Sequence, residues 1–296
     1  QYVVSVILSG SFGRGEPTYV EQPDGSVELK SDVEIGVVFP GYIRKGKVNK
    51  LIEDVSKEFS EELNMMPISY RRLCHGHNFN YTLLTPKYKT LFTYDLYYGS
   101  RTIWGKDLIS QRKFSLEAVD SYEGKRLVAN RIGELLYLRQ NADVQQNAQW
   151  KGKLMLAMGS AWLLGQGKYV SSYCGQYERL KTLQAAEKDL GDGFLAEYEK
   201  VFRYLRQNGG VYDIPENLLR EYTANINRYF QRIGLCKPRV NSFSRMVKYV
   251  VKYVKSGVAF GWIGFENRIL QALIDGYCSQ APFQYRAAQV WHKVLY

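Results

Sequence analysis

The spacing of apolar residues changes once along this chain, near residue 115, and that change constrains the fold more than any single motif. Before it, apolar residues come in short runs bounded by turn-formers. Residues 3–8 and 33–39 are two such runs, the second set between Ser31-Asp32 and Pro40-Gly41. Both predict buried strands. Pro23-Asp24-Gly25-Ser26 separates strand-like residues 18–21 from 27–29 and predicts a hairpin. Leu51, Ile52, Val55, Phe59 and Leu63 recur at helical spacing, so residues 48–63 predict a helix. Residues 67–73, 78–84 and 89–98 then read as three more strands.

Beyond the change the period is helical. Residues 126–140 place Val128, Ile132, Leu135 and Leu136 on one face. Residues 153–164 (KLMLAMGSAWLL) are apolar nearly all round, which predicts a central, buried helix. Further helices are predicted near residues 175–190, 194–207, 215–233, 241–255, 266–275 and 283–294, punctuated by Gly191-Asp192-Gly193, Gly209-Gly210 and Pro215. The expected architecture is α+β: a small mixed-sheet domain over residues 1–115, followed by an all-α helical domain over residues 116–296. No 18-residue apolar run occurs, so no membrane span is expected. The segment at residues 3–8 is too short for a signal peptide and lacks a basic leader, and a strand-like opening leaves room for residues upstream. The four cysteines lie far apart with no Cys-x-x-Cys pair, which excludes a zinc ribbon and fits a reducing, cytoplasmic setting.

The net charge of +11 is unevenly placed. Residues 1–115 hold 15 Lys and Arg against 13 Asp and Glu, whereas residues 116–296 hold 25 against 16. A basic second part attracts anions, including nucleotides and nucleic acid. Within it, residues 240–255 combine an apolar stripe (Phe243, Val247, Val250, Val254) with a basic one (Arg245, Lys248, Lys252, Lys255). A solvated face on a packed helix is favoured there over a nucleic-acid or membrane surface. Cys74-His75-Gly76-His77 is read as a turn rather than a metal site, because its potential ligands are too close in sequence to face one ion together.

Three pieces of the first part carry chemistry. Ser9-Gly10-Ser11-Phe12-Gly13-Arg14-Gly15-Glu16 follows a strand and is dense in Gly and Ser. Glycines let backbone N–H groups approach a phosphate, with Ser11 as hydroxyl donor and Arg14 as charge; alone, the stretch reads equally as an ordinary turn. It is not a Walker A loop, because no Gly-Lys-Ser/Thr follows. Asp32 and Glu34 alternate onto one face of a strand, where two carboxylates repel unless a cation lies between them, or stand as solvated acids at the strand start. Asp95 is a lone acid in an apolar, aromatic run and needs a partner, a cation or water.

Gly10-Ser11, then Asp32-x-Glu34, then Asp95 resembles the nucleotidyltransferase superfamily that includes DNA polymerase beta, the aminoglycoside nucleotidyltransferases and the minimal nucleotidyltransferases. The resemblance covers roughly residues 1–110. Two departures stand out: Ser11 and Asp32 are 21 positions apart, a longer spacer than usual that the Pro23-Asp24-Gly25 hairpin accounts for, and the second acid is Glu rather than Asp. The resemblance implies an enzyme that moves a nucleoside monophosphate from an NTP to an acceptor and releases pyrophosphate. It implies Asp32, Glu34 and Asp95 as ligands of two Mg²⁺ ions, Asp95 next to the acceptor hydroxyl, and Gly10, Ser11, Gly13 and Arg14 as phosphate contacts. Lys153, Arg126 and Arg131 would clamp the triphosphate from the helical part, and residues 167–173 resemble the loop that lines the cleft. A small-molecule or sugar-derivative acceptor is expected. The rival readings are an enzyme acting on RNA 3′ ends or a protein side chain, motivated by the basic second part, and a non-catalytic nucleotide-binding module, motivated by Glu34 and the long spacer.

Overall fold

The computed structural model describes residues 3–21, 24–29, 31–40, 50, 53–55, 57, 63–70, 73, 90–110, 114–138, 144–183, 185–206, 212–235, 265–280, 288–289 and 291–292. The protein is α+β and separates into two units. One is a sheet unit built mainly from Gln1–Val119, with Val170–Tyr173 returned to it from later in the chain. The other is helical and draws on Asp120–Tyr169, Cys174–Leu205 and Gly210–Tyr296. The expected helix at residues 241–255, the strand at 78–84 and the Cys74–His77 turn lie outside the described residues, as does most of the expected helices at 48–63 and 283–294.

In the sheet unit, β1 (Ser5–Ser9) pairs antiparallel with β4 (Val33–Phe39) on one side and with β6 (Arg101–Gly105) on the other. The strand β5 (Leu63–Ser69) runs parallel to β4, so the sheet is mixed, in the order β5-β4-β1-β6. The expected hairpin forms as β2 (Tyr19–Glu21) against β3 (Val27–Leu29). Its turn is fixed by Asp24, whose carboxylate accepts from the Ser26 N–H at 2.9 Å and the Ser26 hydroxyl at 2.6 Å. One face of the sheet buries Ile7, Val38 and Ile68 against Leu96 and Tyr97, with Leu108 and Ile109 closing the same core.

Two sequence expectations change here. Residues 91–98 form a helix, α2 (Leu91–Tyr98), not a strand. Thr90 caps it by accepting the Thr93 N–H at 3.2 Å. It buries Leu91, Tyr94, Leu96 and Tyr97 and leaves Phe92 and Tyr98 exposed, and a short run so rich in apolar residues has no clear periodicity to separate helix from strand. The strand β5 also starts at Leu63 rather than Pro67, because the helical pattern of the preceding segment runs into Leu63 and hides the boundary.

In the helical unit, α3 (Tyr122–Leu138) starts at Asp120, whose carboxylate accepts the Tyr122 N–H at 3.1 Å. It buries Val128, Ala129, Ile132, Leu135 and Leu136. The following α4 (Val144–Gly165) is buried continuously from Leu154 to Leu164, as its all-round apolar sequence requires. It packs against α3 and against α8 (Glu216–Arg232). Short α5 (Tyr173–Leu183) and α6 (Ala185–Leu190) divide the expected helix at 175–190. The remaining helices are α7 (Phe194–Arg206) and α9 (Phe265–Ser279). No helix among the described residues is long and apolar enough to cross a membrane.

Glu197 on α7 ties this unit to the segment before α8. It accepts from Lys200 Nζ at 2.6 Å and from the Tyr212 hydroxyl at 2.7 Å. Burial works to raise its carboxyl, but those hydrogen bonds outweigh it and hold the group below its ordinary value. A depressed carboxyl contributes stability above its unfolded pKa and loses it as the pH falls through the folded value. Glu197→Gln is therefore expected to cost about 1 kcal/mol at neutral pH. In denaturant unfolding the gap to wild type should close as the pH drops below the ordinary carboxylate range; a gap that stays constant with pH would refute the assignment.

Candidate functional site

The register of the sheet builds the site. Ser9, the last residue of β1, stands opposite Glu34 on β4, and its hydroxyl donates to the Glu34 carbonyl oxygen at 3.2 Å. Gly10 then opens the four-residue helix α1 (Gly10–Gly13) with φ at +62°, a left-handed conformation that glycine adopts without a steric penalty. The space a side chain would take at Gly10 holds the Glu34 carboxylate. A β-carbon built on Gly10 would lie 2.6 Å from Glu34 Cδ and 2.8 and 2.9 Å from the two carboxylate oxygens. The glycine-to-serine bend and the second acid of the Asp-x-Glu pair are thus in direct contact.

Asp32 lies two positions before Glu34, on the same side by strand alternation, and is exposed where Glu34 is half-buried. Parallel pairing sets Asn64 of β5 beside Glu34. The Asn64 amide reaches back to Asp32, with Nδ2 donating to Oδ2 at 3.2 Å. Two carboxylates and one amide therefore line this end of the sheet next to Gly10.

Asp95 lies on the helix α2, not on a strand as the sequence predicted. Val38 shares a face with Glu34 and belongs to the same buried cluster as Leu96 and Tyr97, so α2 covers the side of the sheet that carries the pair. Yet among the described residues no three His, Cys, Asp or Glu side chains are grouped to hold a metal ion. Asp95 is carried by α2, and the residue that strand pairing sets beside Glu34 is Asn64.

The rest of the glycine-rich stretch is held from behind. Gly13 is where two backbone segments meet: a β-carbon there would lie 2.6 Å from the carbonyl oxygens of both Leu8 and Gly99, so its glycine serves packing. Ser11 accepts the Glu16 N–H through its carbonyl at 2.8 Å. Arg14, expected to face phosphate, has Nε 3.4 Å from Glu16 Oε2 and its guanidinium 5.2 Å from the centre of the Tyr173 ring. Glu16 also accepts from the Ser172 hydroxyl at 2.7 Å and from the Tyr173 N–H at 3.1 Å.

The basic residues expected to clamp a triphosphate lie in the helical unit. Arg126 pairs with Glu123 at 2.6 Å, and Arg131 pairs with Glu134 one turn along the same helix. Lys153 is half-buried, with Nζ 4.3 Å from the centre of the Trp150 ring. Its neighbour Lys151 is the more buried of the two and is held by Asp213 at 2.7 Å and the Ile214 carbonyl at 3.2 Å.

Sequence reasoning missed Asn64, Glu16 and Ser172. Asn64 was hidden by the misplaced start of β5. Glu16 stood in the motif itself, but its partners lie 156 and 157 positions away, and no local pattern signals them. Comparison with protein-family models and with curated proteins finds no match for this chain.

Proposed function

We propose that this protein is a Mg²⁺-dependent nucleotidyltransferase that moves a nucleoside monophosphate from an NTP to a hydroxyl of a small-molecule or sugar-derivative acceptor. The observation that carries this reading is the contact between Gly10 and the Glu34 carboxylate, with Asp32 beside it. A bend that admits no side chain abuts a pair of acids at a sheet end, which suits a metal-bound phosphate chain. The donor set fits Mg²⁺, which is commonly held by one or two carboxylates with phosphate and water completing the sphere. Asp32 and Glu34 are the residues that would hold it, and the ion would neutralise charge on the phosphates.

The chain's own residues have separable tasks. Gly10 leaves the space in which the Glu34 carboxylate is held, and the Ser9–Glu34 register fixes the backbone on both sides of that contact. Ser11, next in the bend, offers a hydroxyl to a phosphate oxygen. Glu16 and Tyr173 keep Arg14 at the rear of the bend as local positive charge. In the reaction the acceptor oxygen bonds to the α-phosphorus, the α–β bridging oxygen leaves with pyrophosphate, and the hydroxyl proton is released to water.

Pyrophosphate release with Mg²⁺, each of the four NTPs and a panel of hydroxyl acceptors tests this. Glu34→Gln keeps the shape and removes the charge, and is expected to lower turnover roughly 100-fold or more. Equal rates for wild type and variant across the whole panel would end the proposal. One observation favours a second reading: with no third carboxylate grouped with the pair among the described residues, the site suits a nucleotide-binding module without turnover. ATP binding by calorimetry that is indifferent to Mg²⁺, with no pyrophosphate formed, would select that reading.

A further inference from the structure

We infer that β6 carries a second binding site, for a nucleoside phosphate, in which the base stacks on the Trp104 indole and the phosphate is held by the Arg101 guanidinium. The strand ends the sheet order β5-β4-β1-β6, and four of its five residues are exposed. Trp104 itself is 50% exposed. The pairing of β6 with β1 is irregular. Leu8 faces Arg101 and Ile7 faces Thr102, but Val6 faces Trp104, so Ile103 is an extra residue that forms a β-bulge. Residues three apart on a regular strand project to opposite sides. Here Arg101 and Trp104 stand opposite Leu8 and Val6, which are two apart on β1. The bulge therefore brings both to one side of the sheet, about 7 Å apart along the strand.

A cavity of about 680 Å³ opens along this strand, a size that suits one small ligand, and Tyr98, Arg101, Ile103 and Trp104 are among the residues that line it. Asp107 lines it too, but its carboxylate already accepts from the Thr102 hydroxyl and the Ile109 N–H at 3.1 Å each, from the Ser110 N–H at 3.2 Å and from the Ser110 hydroxyl. Those four bonds fill the acceptor sites of a carboxylate. What the cavity offers a ligand is the exposed Arg101 guanidinium, which has donors and no acceptor. Such a group calls for an acceptor-rich anion, and its fork of N–H groups matches phosphate. An exposed indole beside it calls for a flat ring, and stacking accepts any base. A nucleoside phosphate carries both parts. The site depends neither on the Gly10 bend nor on the transferase reading.

AMP in chelator, with no metal ion, is the probe, and its binding to the whole protein is followed by calorimetry against adenosine and ribose 5-phosphate. Wild type is expected to bind AMP about tenfold more tightly than either fragment. Trp104→Ala should weaken AMP about tenfold or more, while Trp104→Phe stays within a few-fold of wild type. Arg101→Ala should bind AMP and adenosine alike, because the phosphate has lost its partner. Both side chains are exposed, so each variant should melt within a few degrees of wild type. Glu34→Gln should bind AMP as wild type does; a loss there equal to that of Trp104→Ala places the nucleotide at the acids and overturns the inference. So does a wild type that takes up no AMP in chelator, or one whose affinity neither Trp104→Ala nor Arg101→Ala changes. An eight-residue oligoadenylate should gain no more than a few-fold over AMP; a gain of about a hundredfold makes the strand a nucleic-acid surface and overturns the single-nucleotide site. If AMP binds as expected and no NTP yields pyrophosphate, this site stands and the transferase reading alone fails.

Discussion

Replacing Gly10 with alanine is expected to lower turnover about 100-fold while removing only about 1–2 kcal/mol of stability. Two costs meet at this residue. At a φ of +62° a β-carbon is strained wherever the space around it lies, which accounts for the loss of stability. The added methyl would also fall within 3 Å of the Glu34 carboxylate. That carboxylate is the end of a flexible side chain, so it swings aside cheaply, and the protein keeps its fold while its acid leaves its place. A displacement of about one ångström at a reacting centre suffices for a loss of this order. Gly15 is the matched control: its φ is +71°, with nothing within 4 Å of a built β-carbon. Gly15→Ala should show a similar drop in melting temperature with turnover near wild type. If the two variants lose turnover equally, strain in the bend, and not the Glu34 contact, is what matters at Gly10.

Trp162→Ala is expected to be the most destabilising single truncation in the helical unit, at about 3–5 kcal/mol. Trp162 is 1% exposed in the last turn of α4, and its ring lies 6.4 Å from that of Tyr229 between centroids. Its indole N–H donates to Asp189 Oδ2 at 2.8 Å. Truncation opens a cavity in a unit whose other large side chains are also fully buried, so little can collapse into it. It also takes a donor from Asp189. Trp162→Phe separates the two effects, because it keeps an aromatic ring and loses only the hydrogen bond; Arg232 still pairs with Asp189. It should cost about 1 kcal/mol. A fall in melting temperature of roughly 10 °C for the alanine variant, against a few degrees for phenylalanine, is the expected calorimetric result.

How much of this could be read from the sequence depended on whether the signal was local. The run at residues 33–39 and the Asp24-Gly25 turn were legible because a strand's apolar core and a turn's side-chain acceptor are written in adjacent residues. The buried helix at 153–164 was legible for a similar reason: between Leu154 and Leu164 only Ser160 is polar. The element carrying Asp95 was not, since Leu91–Tyr98 is a short run too rich in apolar residues to show a period, and its helical state is decided by the Thr90 cap and by packing on the sheet. Of the candidate site, the Gly10, Asp32 and Glu34 positions came from motif spacing. Which residue stands third beside them came from strand register, which two segments separated by a helical pattern do not disclose. The pairing of Arg14 with Glu16 was close in sequence, but the segment that completes it, Ser172 and Tyr173, belongs to the far end of another stretch of chain.

That last arrangement limits how the protein can be cut. The Glu16 carboxylate accepts the first N–H of α5 from Tyr173 and the hydroxyl of the residue before it, and both acceptor bonds fall inside the sheet unit although their donors are encoded after α4. A fragment stopped at the end of the continuous sheet sequence would be missing a piece of its own domain. Its Glu16 would face solvent in place of two donors, and its Arg14 would lose the aromatic plate over which it lies. A cut after Val119 therefore leaves neither fragment with a complete version of the part that carries the acids.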